Sequence, residues 1–406
     1  MVSVKVKIRK STVAGKPGSV CYRIYNRQKS KLITSRIRLQ PEQWDNRNES
    51  VILTPECDAD QLRGRQRQIT HDVELLKDII RELYVTDKEV SLDEVAKLFE
   101  KREKNIEFFA FFKEQTERLL KEGKFGTARN YRHTLSSLQE FTRQPELSLF
   151  MIDEQFIKRY EAWLKERNVT RNTSSFYMRV IRAVFNKAAL YLKLPQGSPF
   201  DNVYTGVDHT RKLAVGIDEI VKLQQLDLSA QPQLELARDI FLFSFYTRGM
   251  SFVDIAYLRK DDLQQGAIRY HRRKTGKTLS IQIEPCIQSI IARYATATAN
   301  TPYVFPLLTA KEDTKAFTQY QTQLGVYNRS LKQLGKMLNK NVRLSSYTAR
   351  HTWATLARNN AIPVAVISAA MGHSSERTTQ IYLDSLEDSV IDRANHKILS
   401  FLQRKK

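Results

Sequence analysis

The first fifty residues alternate apolar and polar side chains, which is the period of a half-buried β-strand. The alternation runs through VSVKVKIRK, VCYRIYNR and KLITSRIRL, with a glycine- and proline-containing turn at residues 15–18 between the first two segments. Three strands with basic outer faces predict a small sheet, which needs another element to cover its apolar face. The helical spacing of apolar residues from about 59 to 84 predicts that covering helix.

Residues 91–192 keep a helical pattern throughout. A Ser-Leu-Asp-Glu sequence at residues 91–94 is typical of a capping box that opens a helix. The later helices are predicted over about 108–120, 127–141, 153–165 and 173–192. Prolines and a glycine then interrupt the pattern, so residues 202–209 are predicted to form a linker to a further domain.

The C-terminal half, from about residue 210, mixes helical and strand patterns. Residues 234–246 are apolar nearly all round, which predicts a buried helix. Two segments, 268–271 and 278–283, predict a hairpin around a Lys-Thr-Gly-Lys turn that begins at Lys274. Further helices are predicted over about 327–338, 348–358, 364–371, 376–382 and 386–402.

These patterns predict a multidomain, mainly α protein, since a chain of 406 residues is too long for one compact domain. We expect a small N-terminal α+β domain over residues 1–87 and a helical bundle over residues 88–205. The third domain, over residues 206–406, is expected to be mostly helical with a small β-sheet.

The charge balance narrows the class of partner. Lysine and arginine total 66 against 44 acidic residues, a formal net charge of +22. An excess of this size favours an anionic partner, either nucleic acid or a membrane surface. The sequence has no stretch of about 20 apolar residues that could span a membrane. Because the positive charge is spread along the whole chain, it favours a long nucleic acid gripped by several domains.

The cysteines and the N-terminus indicate the compartment. Cys21, Cys57 and Cys286 form an odd, widely separated set, which argues against a disulfide framework or a zinc site. The first residues lack the apolar core of a signal peptide. We therefore expect a cytoplasmic protein that acts on DNA in a reducing compartment.

The strongest chemical signal lies in the last sixty residues. Arg350-His-Thr-Trp-Ala-Thr is followed by Met371-Gly-His373-Ser-Ser, and Tyr382 stands nine residues after that histidine. This arrangement resembles the tyrosine recombinase, or phage integrase, family, in which an Arg-His-Thr-x-Ala-Thr helix, a Leu-Gly-His-Ser-Ser turn and a tyrosine occur in this order and spacing. Such a compound match is far more specific than any single motif.

The resemblance implies DNA cleavage through a 3′-phosphotyrosine. Tyr382 would be the nucleophile, Arg350 the second phosphate-binding arginine, His373 a donor to a phosphoryl oxygen and Lys274 the general acid. The chemistry fits these residue types, because fixed cationic donors meet the charge that builds on an attacked phosphodiester. A phenol with a pKa of about 10 needs such neighbours to react. Neither a metal ion nor another cofactor is expected.

Two positions depart from the family pattern. Tyr347 stands where the family usually has a histidine, three residues before Arg350. Ser251, three residues before Asp254, stands where the family has its first arginine. A branch of the family on bacterial mobile elements and DNA-inversion systems looks similar in lacking that arginine.

Other arginines could take the missing role. We hypothesise that Arg248 reaches the phosphate, since it would share a face with position 251 if the segment were helical. The rival hypothesis is that Arg272 or Arg273, beside Lys274 on the hairpin, supplies the charge.

The resemblance extends weakly to the other domains. It implies an arm-site-binding domain over residues 1–87 and a SAM-like core-binding domain over residues 88–205, which together clamp double-stranded DNA against the catalytic domain. The candidate DNA contacts are Lys124, Arg129, Arg132, Arg272 and Arg273. It also implies a homotetramer on two duplexes, with exchange of a C-terminal helix over residues 386–402, and it leaves room for a DNA-bending accessory protein.

Three functions fit these observations. The first is a site-specific recombinase that integrates, excises or inverts DNA. The second is a catalytically impaired, architectural DNA-binding protein, suggested by Ser251 and Tyr347. The third is an enzyme that nicks and reseals DNA to relax supercoils, although such an enzyme needs no arm-binding domain because relaxation involves no second, distant site. The presence of the remaining catalytic residues favours the recombinase.

Overall fold

The computed structural model describes residues 2–13, 15–27, 29–53, 59–86, 90–102, 107–192, 199–208, 214–339, 342–373, 375–382 and 395. It describes the backbone but not the side chains at residues 60, 86, 102, 377, 381 and 382. The chain divides into two compact units, Met1–His209 and Thr210–Lys406. The predicted C-terminal helix over 386–402 lies outside the described residues. Among the helices that are described, none is both long and apolar enough to cross a membrane.

The first unit begins with the predicted three-stranded antiparallel sheet, in the order β1-β2-β3. The strands are β1 (Ser3–Arg9), β2 (Gly18–Asn26) and β3 (Lys29–Leu39), and a small ladder of β4 (Trp44–Asp45) and β5 (Ser50–Val51) follows. The inner face carries buried apolar side chains such as Val6, Ile24 and Ile37. Helix α1 (Ala59–Thr86) covers this face, as its apolar spacing predicted.

A second helix, α2 (Leu92–Arg102), packs on the same core. Its Phe99 is fully buried and meets the ring of Tyr22 edge-on, with the ring centroids 5.7 Å apart. The domain bounds predicted from the sequence group this helix with the bundle that follows. A capping box marks where a helix begins, but it carries no information about which core the helix joins. Its packing places it with the N-terminal sheet.

The helical bundle consists of α3 (Phe108–Lys121), α4 (Phe125–Thr142), α5 (Glu154–Glu166) and α6 (Arg171–Tyr191). Side-chain oxygens of Glu107, Asp153 and Thr170 accept backbone N–H groups at the starts of α3, α5 and α6. Such caps satisfy donors that a helix leaves unpaired. The predicted linker over residues 202–209 is partly packed, since Val203 is buried in the bundle core beside the preceding Phe200.

The second unit is mixed, as predicted. Its helices are α7 (Ile217–Gln225), α8 (Pro232–Tyr246), α9 (Phe252–Ala256), α10 (Pro285–Tyr294), α11 (Asp313–Leu338), α12 (Thr348–Asn359), α13 (Val364–Ala370) and α14 (Glu376–Tyr382). The strands β6 (Leu263–Gln264), β7 (Ala267–His271) and β8 (Thr278–Gln282) form an antiparallel sheet in that order. Helix α8 is buried along most of its length, with Ile240, Phe241 and Phe243 at its centre.

Helix α11 begins about fourteen residues before the predicted start at 327. The added segment is rich in threonine and glutamine, and Ala316 is its only fully buried residue among those described. A segment with so few buried positions shows little hydrophobic periodicity, so the pattern could not reveal it.

Candidate active site

Arg350 lies in the first turn of α12 and is almost completely buried, with 3% of its surface exposed. Its Nη1 donates to the carbonyl oxygen of Gly249 at 2.6 Å, and its Nη2 donates to that of Met371 at 2.7 Å. The guanidinium is thus fixed between the loop after α8 and the turn after α13.

Gly249 permits this approach for two reasons. Its φ of +74° is a backbone conformation that residues with a Cβ rarely adopt. A Cβ at this position would also lie 2.8 Å from both Cα and Cγ of Arg350. A glycine at position 249 is therefore what allows Arg350 to pack against this loop.

His373 follows the turn at Gly372 and is 5% exposed. Its Nε2 lies 2.9 Å from Arg350 Nη2, and its Nδ1 lies 2.7 Å from the hydroxyl oxygen of Thr379. Burial, together with the nearby charges of Arg350, Arg272, Lys274 and Lys277, lowers the pKa of His373 to about 4. The imidazole is neutral at physiological pH.

Arg272 stands at the end of β7 and points inward, with 7% of its surface exposed. Its Nη1 donates to the carbonyl oxygen of Gly372 at 2.8 Å, directly before His373 in the chain. Its Nε is buried and has no hydrogen-bond partner among the described residues. A buried donor left unsatisfied is unfavourable by about 1–3 kcal/mol, so this group is suited to receive an anionic ligand.

The neighbours of Arg272 on the hairpin have different environments. Lys274 is exposed at the tip, where Gly276 turns the chain with a φ of +69°. The guanidinium carbon of Arg273 lies 3.8 Å above the ring centroid of Tyr257. The sequence could not tell the two arginines apart, but the structure gives only Arg272 an inward position.

Ser251 and Asp254 explain how the segment folds without the family's first arginine. Ser251 precedes α9, and its hydroxyl donates to Asp254 Oδ2 at 2.6 Å. The other oxygen, Oδ1, accepts the backbone N–H of Arg273 at 2.9 Å. The buried carboxylate therefore anchors the hairpin base, a role that the sequence analysis did not foresee.

Arg248 does not have the geometry on which its assignment rested. Helix α8 ends at Tyr246, and Arg248 sits in a turn with a left-handed φ of 59°. Its Nη1 lies 3.4 Å from the carbonyl oxygen of Ser280 on β8, at a partly exposed position. Because the segment is not helical, Arg248 does not share a helical face with Ser251.

Tyr347 stands immediately before α12 and is 48% exposed. Its ring centroid lies 6.3 Å from that of the buried His351. Tyr382 is the last residue of α14, and its side chain lies outside the described residues.

The candidate DNA contacts Lys124, Arg129 and Arg132 belong to the first unit, at the start and on the outer surface of α4, and all three are exposed. Lys124 forms an ion pair with Glu122 at 2.9 Å. Across the described part of the chain, no group of three or more histidine, cysteine or acidic side chains is placed to hold a metal ion.

Family models match both units. The model described as the phage integrase SAM-like domain matches residues 107–191, and the one described as the phage integrase family matches residues 218–388. Together these ranges cover more than half of the chain.

Curated relatives agree with these models. Tyrosine recombinase XerD of Vibrio cholerae serotype O1 is 24% identical over 267 residues, which are 63% of this chain and 84% of the relative. Tyrosine recombinase XerD of Staphylococcus epidermidis is 26% identical over 264 residues, which are 62% and 85% of the two chains.

Solved structures share the fold. A lambda integrase dimer bound to a COC′ core site has a TM-score of 0.53 at 14% identity, covering 93% of this chain and 96% of that chain. The Tn1549 transposon integrase in complex with transposon right end DNA has a TM-score of 0.51 at 14% identity, covering 73% of this chain and 100% of that chain. By its matched models and its multidomain, mainly helical fold, the chain belongs to the tyrosine recombinase, or phage integrase, family and is a tyrosine-type site-specific recombinase.

Proposed function

We propose that this recombinase cuts and rejoins double-stranded DNA through a 3′-phosphotyrosine on Tyr382, and so integrates or excises a mobile element or inverts a DNA segment. One observation carries the proposal: Arg350, His373 and Arg272 converge on the turn at Gly372. Arg350 Nη2 lies 2.9 Å from His373 Nε2, and Arg272 Nη1 lies 2.8 Å from the Gly372 carbonyl oxygen. Two guanidinium groups and an imidazole in one place make a site for a phosphoryl group.

The proposed reaction uses these groups in turn. Arg350 and Arg272 bind the non-bridging oxygens and stabilise the charge that builds as phosphorus is attacked. The phenol oxygen of Tyr382 bonds to phosphorus and releases its proton to solvent, while the 5′ oxygen of the cut strand leaves with a proton from Lys274. His373 donates to a phosphoryl oxygen. The phosphotyrosine retains the energy of the broken phosphodiester, so rejoining needs no ATP.

We assign the first-arginine role to Arg272 rather than to Arg248 or Arg273. Arg272 is buried beside the His373 turn and has an Nε–H without a partner in the described structure. The side chain of Arg273 rests on Tyr257, and that of Arg248 reaches toward β8. This assignment also weakens the case for an impaired architectural protein, because the charge lost at Ser251 is replaced from the hairpin. Tyr347 remains a candidate catalytic residue, since its phenol can donate or accept a hydrogen bond where the family usually has a histidine.

The first unit would hold the DNA. On the outer face of the sheet Lys5 pairs in register with Arg23, and Lys7 and Arg9 flank them on β1 with exposed side chains. We propose that this face binds an arm site and that the bundle binds the core site, with Lys124, Arg129 and Arg132 among its contacts. The division between the two domains is best placed after α2, at residues 102–107, and the catalytic domain begins near residue 210.

The assembly is proposed from solved structures. They include a lambda integrase tetramer bound to a Holliday junction, with a TM-score of 0.51 and 12% identity. A homotetramer on double-stranded DNA with exchange of residues 386–402, an accessory DNA-bending protein and action in the bacterial cytoplasm all remain part of the proposal. The Tn1549 transposon integrase supports a mobile element as the substrate.

Trapping the covalent intermediate tests this function. The full chain would be incubated, with EDTA and without ATP, with a nicked suicide duplex carrying its native recombination site. We expect a covalent protein–DNA band from the wild type and none from Tyr382→Phe, which keeps the ring but removes the nucleophile. A gel shift without any covalent band from the wild type would overturn the proposal and favour the architectural alternative.

A further inference from the structure

Thr379 is the residue of α14 that contacts His373. It is fully buried, and its hydroxyl oxygen lies 2.7 Å from His373 Nδ1. The contact joins the turn after α13 to the helix that carries Tyr382, one helical turn further along the chain. Neither charge nor spacing singled out this threonine in the sequence.

The contacts of the imidazole with Arg350 and Thr379 fix the position of its proton. A guanidinium has donors only, so His373 Nε2 must accept the hydrogen bond from Arg350 Nη2. The proton of the neutral ring is then on Nδ1, which donates to the Thr379 hydroxyl. In this state His373 cannot donate to a phosphate, because the nitrogen that faces the site carries no proton.

Nor does His373 donate from Nε2 as a fully protonated imidazolium, because that charged form is unfavourable in this site. The guanidinium groups of Arg350 and Arg272 and the ammonium groups of Lys274 and Lys277 oppose a further positive charge on the buried ring. The neutral ring can donate from Nε2 only if its proton leaves Nδ1 for water and Nε2 takes one from water. Nδ1 then needs a donor, and a hydroxyl can serve because it both donates and accepts.

We propose that Thr379 is a positioning residue whose hydroxyl supports both tautomers of His373, accepting from Nδ1 without DNA and donating to Nδ1 when a phosphate occupies the site. The phosphate would take the Arg350 N–H that now faces Nε2, and Nε2–H would then donate to a phosphoryl oxygen. The same hydrogen bond docks α14 on the His373 turn. This inference rests on the proposed function.

Matched variants distinguish the effect of the Thr379 hydroxyl on cleavage from the effect of its side-chain packing. Thr379→Val keeps the shape and removes the hydroxyl, whereas Thr379→Ser keeps the hydroxyl. Thr378→Val makes the same change one residue earlier, where the hydroxyl contacts, among the described residues, only the Ser375 hydroxyl at 3.1 Å. We expect Thr379→Val to slow suicide-substrate cleavage by about tenfold or more, which is less than the roughly 10²–10⁴-fold of a full acid–base contribution because Thr379 acts only through His373. Thr379→Ser and Thr378→Val should stay within about threefold of wild type by the same measure.

A double-mutant cycle tests whether Thr379 acts through His373. In the His373→Gln background Thr379→Val should have no further effect, because coupled residues are not additive. Equal losses in both backgrounds, or wild-type cleavage by Thr379→Val, would overturn the proposal. Thermal unfolding and gel shifts would establish that each variant folds and binds DNA. Thr379→Ala would replace a valine variant that does not fold.

Nitrogen NMR reads the tautomer without turnover. The full chain with ¹⁵N-histidine, in the Tyr382→Phe background, would be measured alone and with the uncut duplex, and His373→Gln would assign the signal among the seven histidines. We expect protonated Nδ1 without DNA, protonated Nε2 with DNA, and loss of this change in Thr379→Val. A tautomer that never changes would refute the inference. If the wild type binds DNA but never forms a covalent complex, the proposed function fails while the NMR result still decides the role of Thr379.

Discussion

Arg272 donates from Nη1 to the carbonyl oxygen of Gly372, 2.8 Å away, so a residue of the β-hairpin is fixed to the turn that presents His373. The hairpin base is held in turn by Asp254, which accepts the N–H of Arg273 at 2.9 Å. We propose that in this protein the acid that the family places after its first arginine positions Arg272 as a substitute for that arginine.

Arg272→Ala should therefore abolish most of the cleavage activity. Loss of one fixed donor to transition-state charge typically slows a reaction by about 10²–10³-fold, and Arg272→Lys should recover little of this because it lacks the planar fork. Arg248→Ala and Arg273→Ala are the matched controls and should retain more than about a tenth of wild-type cleavage, since neither loses such a donor. The measurement is the rate of covalent complex formation. A larger loss with Arg248→Ala than with Arg272→Ala would restore our first hypothesis.

Gly249→Ala should destabilise the second unit. The new Cβ would combine a left-handed backbone with a 2.8 Å approach to Arg350, and strain and overpacking are each unfavourable by about 1–3 kcal/mol. Gly266→Ala is the control, because its φ is also positive, at +72°, but nothing lies within 4 Å of the added Cβ. Urea unfolding of the full chain measures the loss of stability in each of the two variants. Similar losses for the two variants would show that backbone conformation alone, without the Arg350 contact, determines the effect.

Some parts of the fold and of the candidate site could be predicted from the sequence, and others could not. The hairpin, the buried α8 and the motif helices were predicted because their periodicity or motif is local. The inward position of Arg272 and the role of Asp254 were not, because they depend on contacts between segments about 20 to 100 residues apart in the chain. Helix α2 was assigned to the wrong core for the same reason.

His373 should make the stability of the protein depend on pH. Its folded pKa of about 4 lies below the ordinary value of 6.5, so the unfolded chain binds a proton first as the pH falls. Stability should consequently decrease from about pH 6.5 to pH 4, by an amount on the order of 2–3 kcal/mol for this group. His373→Gln cannot bind that proton and should show a shallower decrease. Urea unfolding at pH 7.5, 6 and 5 compares the two, and parallel decreases would contradict the assignment.

The outer face of the N-terminal sheet should account for part of the salt dependence of DNA binding. Each phosphate that a lysine neutralises contributes about −0.9 to the slope of log K against log salt. Replacing the exposed Lys5 and Lys7 by alanine should therefore make the slope shallower by about 1.8. Lys97→Ala with Lys101→Ala removes the same charge from α2, which packs against the opposite face of the sheet, and should leave the slope nearly unchanged. Fluorescence anisotropy at several salt concentrations gives both slopes. Equal changes in the two double variants would mean that only net charge matters, and the sheet would then lose its proposed role as the arm-binding surface.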